Sequence, residues 1–228
     1  MATRKESTGL CQFCGKAFAK RSVSKHLDSC IKAQETIAAA NAKTTPKEDT
    51  LYHLVIQDKY AKDFWLHLEM TGSATLKKLD EYLRAIWLEC CGHMSEFSLD
   101  GFGREVKMST QAHTIFERYP SLLHLYDFGT TSETLVKVVG KRTGKPLSKH
   151  PIFLLARNQM PIMPCMECNK PATWLCNECI YEEDQSGLLC DEHVENHPHQ
   201  DNYGEPIELV NSPRMGMCGY EGPAEPPY

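Results

Sequence analysis

Residues 51–87, LYHLVIQDKYAKDFWLHLEMTGSATLKKLDEYLRAIW, change their hydrophobic period once, and that change sets the fold class. Tyr52, Leu54 and Ile56 fall on one face by alternation, and Phe64, Leu66, Leu68 and Met70 do the same after a short DKYAKD turn. A period of two marks half-buried strands. From Leu76 the period lengthens: Leu76, Leu79, Leu83, Ile86 and Trp87 recur at helical spacing, behind Ser73 or Thr75 as N-cap. One amphipathic helix therefore lies on a sheet. Further strands are expected at 94–99, 105–108, 122–128, 134–139 and 152–156. The expectation is an α+β domain over residues 50–160, a central mixed sheet with a packed helix.

Beyond this domain the composition changes to 165-CMECNKPATWLCNECIYEEDQSGLLCDEHVENHPH-199. Cys165 and Cys168, Cys176 and Cys179, and Cys190 and His193 form three pairs, and His197 and His199 follow. Eight such ligands make two tetrahedral zinc sites, and a segment this poor in apolar residues folds around metal rather than around a core. Two pairings are open. In the sequential one the four early cysteines take one ion. In the cross-brace Cys165, Cys168, Cys190 and His193 share one ion, and Cys176, Cys179, His197 and His199 the other. The cross-brace is preferred, because Pro171, Ala172 and Trp174 read as packing between two knuckles. At these residues the stretch resembles B-box zinc fingers, which implies a cross-braced module over 161–203 used for protein contacts. The tail, 204–228, is rich in Pro, Gly and Glu and is expected to be irregular.

At the other end Cys11, Cys14, His26 and Cys30 read as C-x2-C-x11-H-x3-C. Two thiolates on a knuckle and two ligands four apart on a helix suit one zinc ion, and the pattern resembles a C2H2-type finger of the Cys-Cys-His-Cys variety over residues 1–33. The helix positions that such a finger aims at bases are close to Ala19, Ser22 and Lys25, which are poor base readers. Residues 34–49, rich in Ala, Lys and Thr, read as a tether that is helical to about Ala42 and stopped by Pro46. Such a tether would let the finger move independently.

Charge is uneven along the 228 residues, whose net charge is −5. The head is basic, with Arg4, Lys5, Lys16, Lys20, Arg21 and Lys25, whereas the region after Cys165 is acidic. Lys16, Lys20, Arg21 and Lys25, extended by Lys141, Arg142 and Lys145 of a GKRTGKPLSKHP loop, form a candidate phosphate-contacting surface. The chain holds 11 cysteines, clustered at metal spacings behind a polar start with no signal-peptide pattern, which points to a reducing cytoplasm. No apolar run approaches the roughly twenty residues that cross a bilayer.

Within the central domain, Ile86-Trp87, His93-Met94-Ser95-Glu96-Phe97 and Tyr126-Asp127-Phe128-Gly129 give a further resemblance. Over roughly Leu51 to Asn158 the chain resembles the plasmid pRiA open-reading-frame-three family, members of which carry a transposon-passenger, resolvase-like label. That family commonly follows the glycine with Asp-x-Trp-x-His, where this chain has Thr130, Thr131, Ser132, Glu133 and Thr134. The resemblance thus implies a fold rather than an activity.

No catalytic constellation accompanies these motifs. Cys90, Cys91 and His93 suggest a Cys-His nucleophile or a further metal site completed by Cys218. Beside Glu89 and Glu96 a thiolate is poorly supported, however, and the cysteines read more simply as small residues filling a helix end. His53, His67 and His124 lack ligand spacing and read as surface or partly buried strand residues. The expected function is a non-enzymatic zinc-binding interaction protein carrying three structural ions and docking an unidentified protein partner. The alternative is a nucleic-acid-binding accessory protein of a mobile element, and a hydrolase or nuclease is the remote one.

Overall fold

The computed structural model describes residues 6–101, 103–199 and 204–228. Arg4 and Lys5 of the basic head, and positions 200–203 closing the C-terminal module, lie outside the described residues. The chain opens with β1 (Thr8–Cys11), β2 (Ala17–Ala19), α1 (Lys20–Ser29) and α2 (Ile31–Ala42). The central part follows: β3 (Asp49–Asp58), β4 (Trp65–Thr71), α3 (Leu76–Leu83) with a π-helical turn over Arg84–Leu88, β5 (Ser95–Ser98), β6 (Glu105–Val106), α4 (Ala112–Phe116), β7 (Ser121–Tyr126), β8 (Ser132–Gly144) and β9 (Ile152–Asn158). The C-terminal part holds β10 (Trp174–Leu175), α5 (Asn177–Tyr181), β11 (Leu188–Leu189), α6 (Asp191–Val194) and β12 (Ile207–Glu208).

One 9-stranded sheet runs β2-β1-β9-β4-β3-β8-β7-β5-β6, and a 3-stranded sheet runs β11-β10-β12. The class is α+β. Every pairing among the described residues is antiparallel rather than mixed. A parallel pair needs a long crossover, and α3 leads from β4 to β5 on the far side of the sheet, where no parallel neighbour waits.

The first face of the sheet buries Leu54, Ile56, Leu66, Leu68 and Met70 against Leu76, Leu79, Leu83, Ile86 and Trp87. The wide π-helical turn puts Ile86, Trp87 and Leu88 in the core together. Thr75 is the N-cap of α3 but makes no side-chain capping bond. Instead the carbonyls of Thr110 and Met108 accept from the amides of Leu76 and Lys77, so the loop before α4 satisfies the first turn.

The second face is where the structure departs from the half-buried strand. β4 is buried at every position from Trp65 to Thr71, because the N-terminal ββα unit covers the face that looks polar in the sequence. β1 pairs with β9, Gly9 opposite Asn158 and Cys11 opposite Ala156. Val23 and Leu27 of α1 pack on Trp65, Leu155 and Ala156. The unit is thus an extension of the sheet, not an independently moving finger. His67 is buried by the same cover, His124 is buried instead on the α3 side, its Nε2 2.8 Å from Asp80 Oδ1 and its ring against Phe97, and His53 is half-buried. His53 Nε2 lies 2.8 Å from His67 Nδ1, and burial lowers the two rings to about 4 and about 3.

Gly9 makes this seating possible, since a Cβ there would overlap the Trp65 indole and the Arg157 carbonyl oxygen. Gly9→Ala is expected to destabilise the protein by roughly 3 kcal/mol, as overpacking does when backbone must shift. The readout is a lower urea midpoint with red-shifted emission from Trp65. An unchanged midpoint would show that the hairpin is not held there.

Two further details differ from expectation. Residues 140–144 of the basic loop continue β8 and pair with 49–53 of β3 across a register shift at His53/Leu54. The tail is irregular but docked, with Ser212, Arg214, Tyr220 and Ala224 buried.

Candidate metal centres

At the N-terminal centre, Cys11 ends β1 and Cys14 follows in a knuckle that Gly15 closes at φ 70, its N–H donating to the Cys11 carbonyl at 2.8 Å. The left-handed turn needs the glycine. His26 projects from α1, with Phe18 stacked on its ring. Cys30 is not in the helix: it caps α1 with extended backbone, φ −71 and ψ 113. His26 Nε2 stands 3.4 Å from Cys14 Sγ. Cys11 and Cys30 are buried, and burial pushes the Cys11 thiol up to about 11. Thiolates held there call for a cation.

The C-terminal ligands gather alternately. Cys165, Cys168, Cys190 and His193 form one group, and Cys176, Cys179, His197 and His199 the other. That is the cross-braced grouping. Asn169, at φ 61, turns the first knuckle, and its N–H donates to the Cys165 carbonyl. Burial alone would raise the Cys165 thiol, but backbone N–H groups of Glu167, Cys190 and Cys168 and the His193 ring bring it to about 6. In the first group His193 Nδ1 is 3.6 Å from Cys165 and 3.3 Å from Cys190, and the Cys168 and Cys190 sulfurs are 3.7 Å apart. In the second, Cys179 Sγ lies 3.3 Å from His197 Nε2 and 3.2 Å from His199 Nδ1. His199 Nε2 faces Glu183 at 3.3 Å, a carboxylate placed as an orienting partner. Burial pushes the Cys179 thiol up to about 12, with Cys176 beside it. β10 runs between the two groups and pairs with β11 and β12, Trp174 opposite Leu189 and Glu208.

These dimensions fit a tetrahedral ion. Zinc–sulfur bonds of about 2.3 Å and zinc–nitrogen bonds of about 2.0 Å put neighbouring ligand atoms roughly 3.5–3.8 Å apart. The ligand atoms of each group lie within 4.8 Å of one another. A fourth group has the same property: Cys90, Cys91, His93 and Cys218. Cys90 packs against the core as a small residue would, and with Cys91 it also belongs to this group. The sequence offers this group only as one reading of Cys90, Cys91 and His93 with Cys218, and because no C-x2-C pair precedes the histidine it does not favour a metal there over small residues filling a helix end.

The candidate phosphate-contacting residues divide. Lys16, Arg21 and Lys25 are exposed, and Arg21 pairs with Glu6 at 3.2 Å. Lys20 Nζ is turned inward, donating to Gln57 Oε1 at 2.5 Å and the Lys62 carbonyl at 2.6 Å. Lys141 pairs with Glu117 at 2.9 Å, and Arg142 makes two bonds of 2.8 Å to Glu69. The Lys145 backbone N–H donates to Asn41 Oδ1 at 2.8 Å. Arg142 and Glu69 also line a cleft of about 280 Å3 with Leu27, Asp28, Ala33 and His53. Among the described residues no helix is long and apolar enough to cross a membrane.

No family model matches the chain, and no curated protein matches it. Among solved structures, the crystal structure of a protein of unknown function, MM3350 from Methanosarcina mazei Go1, aligns at 18% identity with a TM-score of 0.38. The alignment covers 45% of this chain and 66% of that one. A likeness this distant carries no argument.

Proposed function

We propose that this chain is a non-enzymatic, zinc-dependent interaction protein of the cytoplasm. Three structural zinc ions shape its ends: one in the Cys11–Cys30 unit and two in the 165–199 module, whose B-box-like surface docks on partner proteins. The carrying observation is saturation, because each group offers four Cys or His ligands. A tetrahedral ion so held keeps no position for water or substrate. The donor sets, two of three cysteines with one histidine and one of two and two, suit zinc in preference to the oxygen-seeking magnesium or calcium. The nucleic-acid reading rests on exposed Lys16, Arg21 and Lys25. It has less behind it, because Lys20 and Arg142 are already committed within the protein.

Cobalt replacement tests the structural assignment. Tetrahedral thiolate-rich cobalt spectra that azide leaves unchanged are expected, and a spectrum altered by azide would mark an open position and sink the reading. The interaction half is tested with tagged full-length chain. Proteins that co-purify with the parent are expected to be lost with Cys179→Ser and kept with Lys16→Glu/Lys25→Glu. If the lysine variant instead abolishes a salt-sensitive association with labelled duplex DNA, the nucleic-acid reading takes first place.

A further inference from the structure

The loop after the π-helical turn and the docked tail meet at one point. Gly92, at φ 73, reverses the chain between Cys91 and His93, and its N–H donates to Glu89 Oε1. From the tail, Cys218 enters with left-handed backbone, φ 52 and ψ 34, between Gly216 and Gly219, which are also left-handed. A non-glycine residue in that region costs of order 1 kcal/mol, and here the conformation goes with a thiol among three other soft ligands. Cys218 Sγ stands 3.6 Å from Cys91 Sγ and 3.4 Å from His93 Nε2. Those separations match the 3.2–3.7 Å within the centres described above.

We propose that Cys90, Cys91, His93 and Cys218 form a fourth zinc site, which fastens the C-terminal tail to the central domain. Three thiolates and one imidazole are the donor set of the Cys11 and Cys165 centres as well. With a divalent ion that set carries a net charge of −1, and the buried guanidinium of Arg214 answers it, its Nε donating to Cys90 Sγ at 3.4 Å. The Tyr126 hydroxyl, 3.7 Å from the same sulfur, completes the surround, as outer-shell partners do at metal sites. The ligands come from two segments 125 residues apart or more, so an ion between them closes the tail over the core. Exposure of Cys91 and Cys218, where ligands of the other centres are mostly buried, makes this zinc the first that a chelator reaches.

The test compares full-length parent with Cys91→Ser/Cys218→Ser, both purified with reductant and zinc. Both changed residues are exposed, so the variant keeps its core. Native mass spectrometry and elemental analysis are expected to show one zinc fewer per chain in the variant, and amide hydrogens of 216–222 are expected to exchange at least tenfold faster. Because the readout is the difference between two proteins, it reports this site whatever the occupancy of the other centres, whose failure would lower the zinc content of both proteins equally. Equal zinc content in parent and variant would overturn the proposal. So would a Cys91–Cys218 disulfide, two mass units lighter, in parent protein lacking the additional ion.

Discussion

Cys179→Ser is expected to unfold residues 165–199 and to release both of their metal ions while leaving the large sheet intact. The module has almost no core of its own: its buried cluster is Cys176, Cys179 and Leu189, with Met166, Trp174 and Val194 packed at the edge. Two of the three buried members are candidate metal ligands, so on the proposed reading the metal takes the place of a core. Structural zinc contributes about 10–16 kcal/mol per site in small domains, far more than so few apolar contacts supply. The cross-brace predicts that damage spreads. The chain linking Cys168 to Cys190 carries Cys176 and Cys179 and the strand β10, so slackening one centre slackens the other. Amide spectra should lose dispersion over 165–199, and zinc content should fall by two. Under sequential pairing the Cys190–His199 ion would survive this change. A variant that keeps a dispersed 165–199 and full zinc would show that metal does not hold the module.

What the sequence discloses depends on how locally each feature is determined. Alternation at 51–57 and 64–70 and the helical spacing of Leu76 to Trp87 need no partner to be recognised, and β3, β4 and α3 lie there. The metal ligands of both ends are close in sequence, so their knuckles are legible too. The covering of the second sheet face is not. Trp65, His67 and Glu69 alternate with core residues and read as a solvent face, and nothing local says that α1 will cover them; a tryptophan at an outward position was the available signal. Gly140 hides the extension of β8 because glycine usually marks a loop, while here it sits opposite His53 beside the register shift. Arg214 is the hardest, and Cys218 is legible only as a possible completing ligand for Cys90, Cys91 and His93. Each is a single residue in an irregular tail, with partners in Asp127 and Cys91 that only the folded chain brings near. α4, five residues long, offers too few turns for a period.

Arg214→Ala is expected to cost about 3–5 kcal/mol and to free the tail. The side chain is fully buried, and its guanidinium pairs with Asp127 Oδ2 while donating to the Thr130 carbonyl at 3.0 Å and Ser132 Oγ at 2.9 Å. It also lies 4.9 Å from the centre of the Tyr126 ring. Burial would raise the Asp127 carboxyl, but Arg214 and the amides of Gly129 and Thr130 hold it below its ordinary value. Deleting the arginine leaves that carboxylate buried with two amides and the His93 ring 3.7 Å away, without its guanidinium partner, and breaking a buried pair from one side costs in the stated range. Removing both charges should cost much less, so the double variant Asp127→Asn/Arg214→Met is expected to recover most of the loss in a urea-midpoint cycle. The same cycle in the Cys91→Ser/Cys218→Ser background separates two ways of holding one segment. If ion pair and metal fasten the tail together, the second lesion costs less than the first, because the tail is already loose. A loss below about 1 kcal/mol for Arg214→Ala would mean that the buried pair does not hold the tail to the domain.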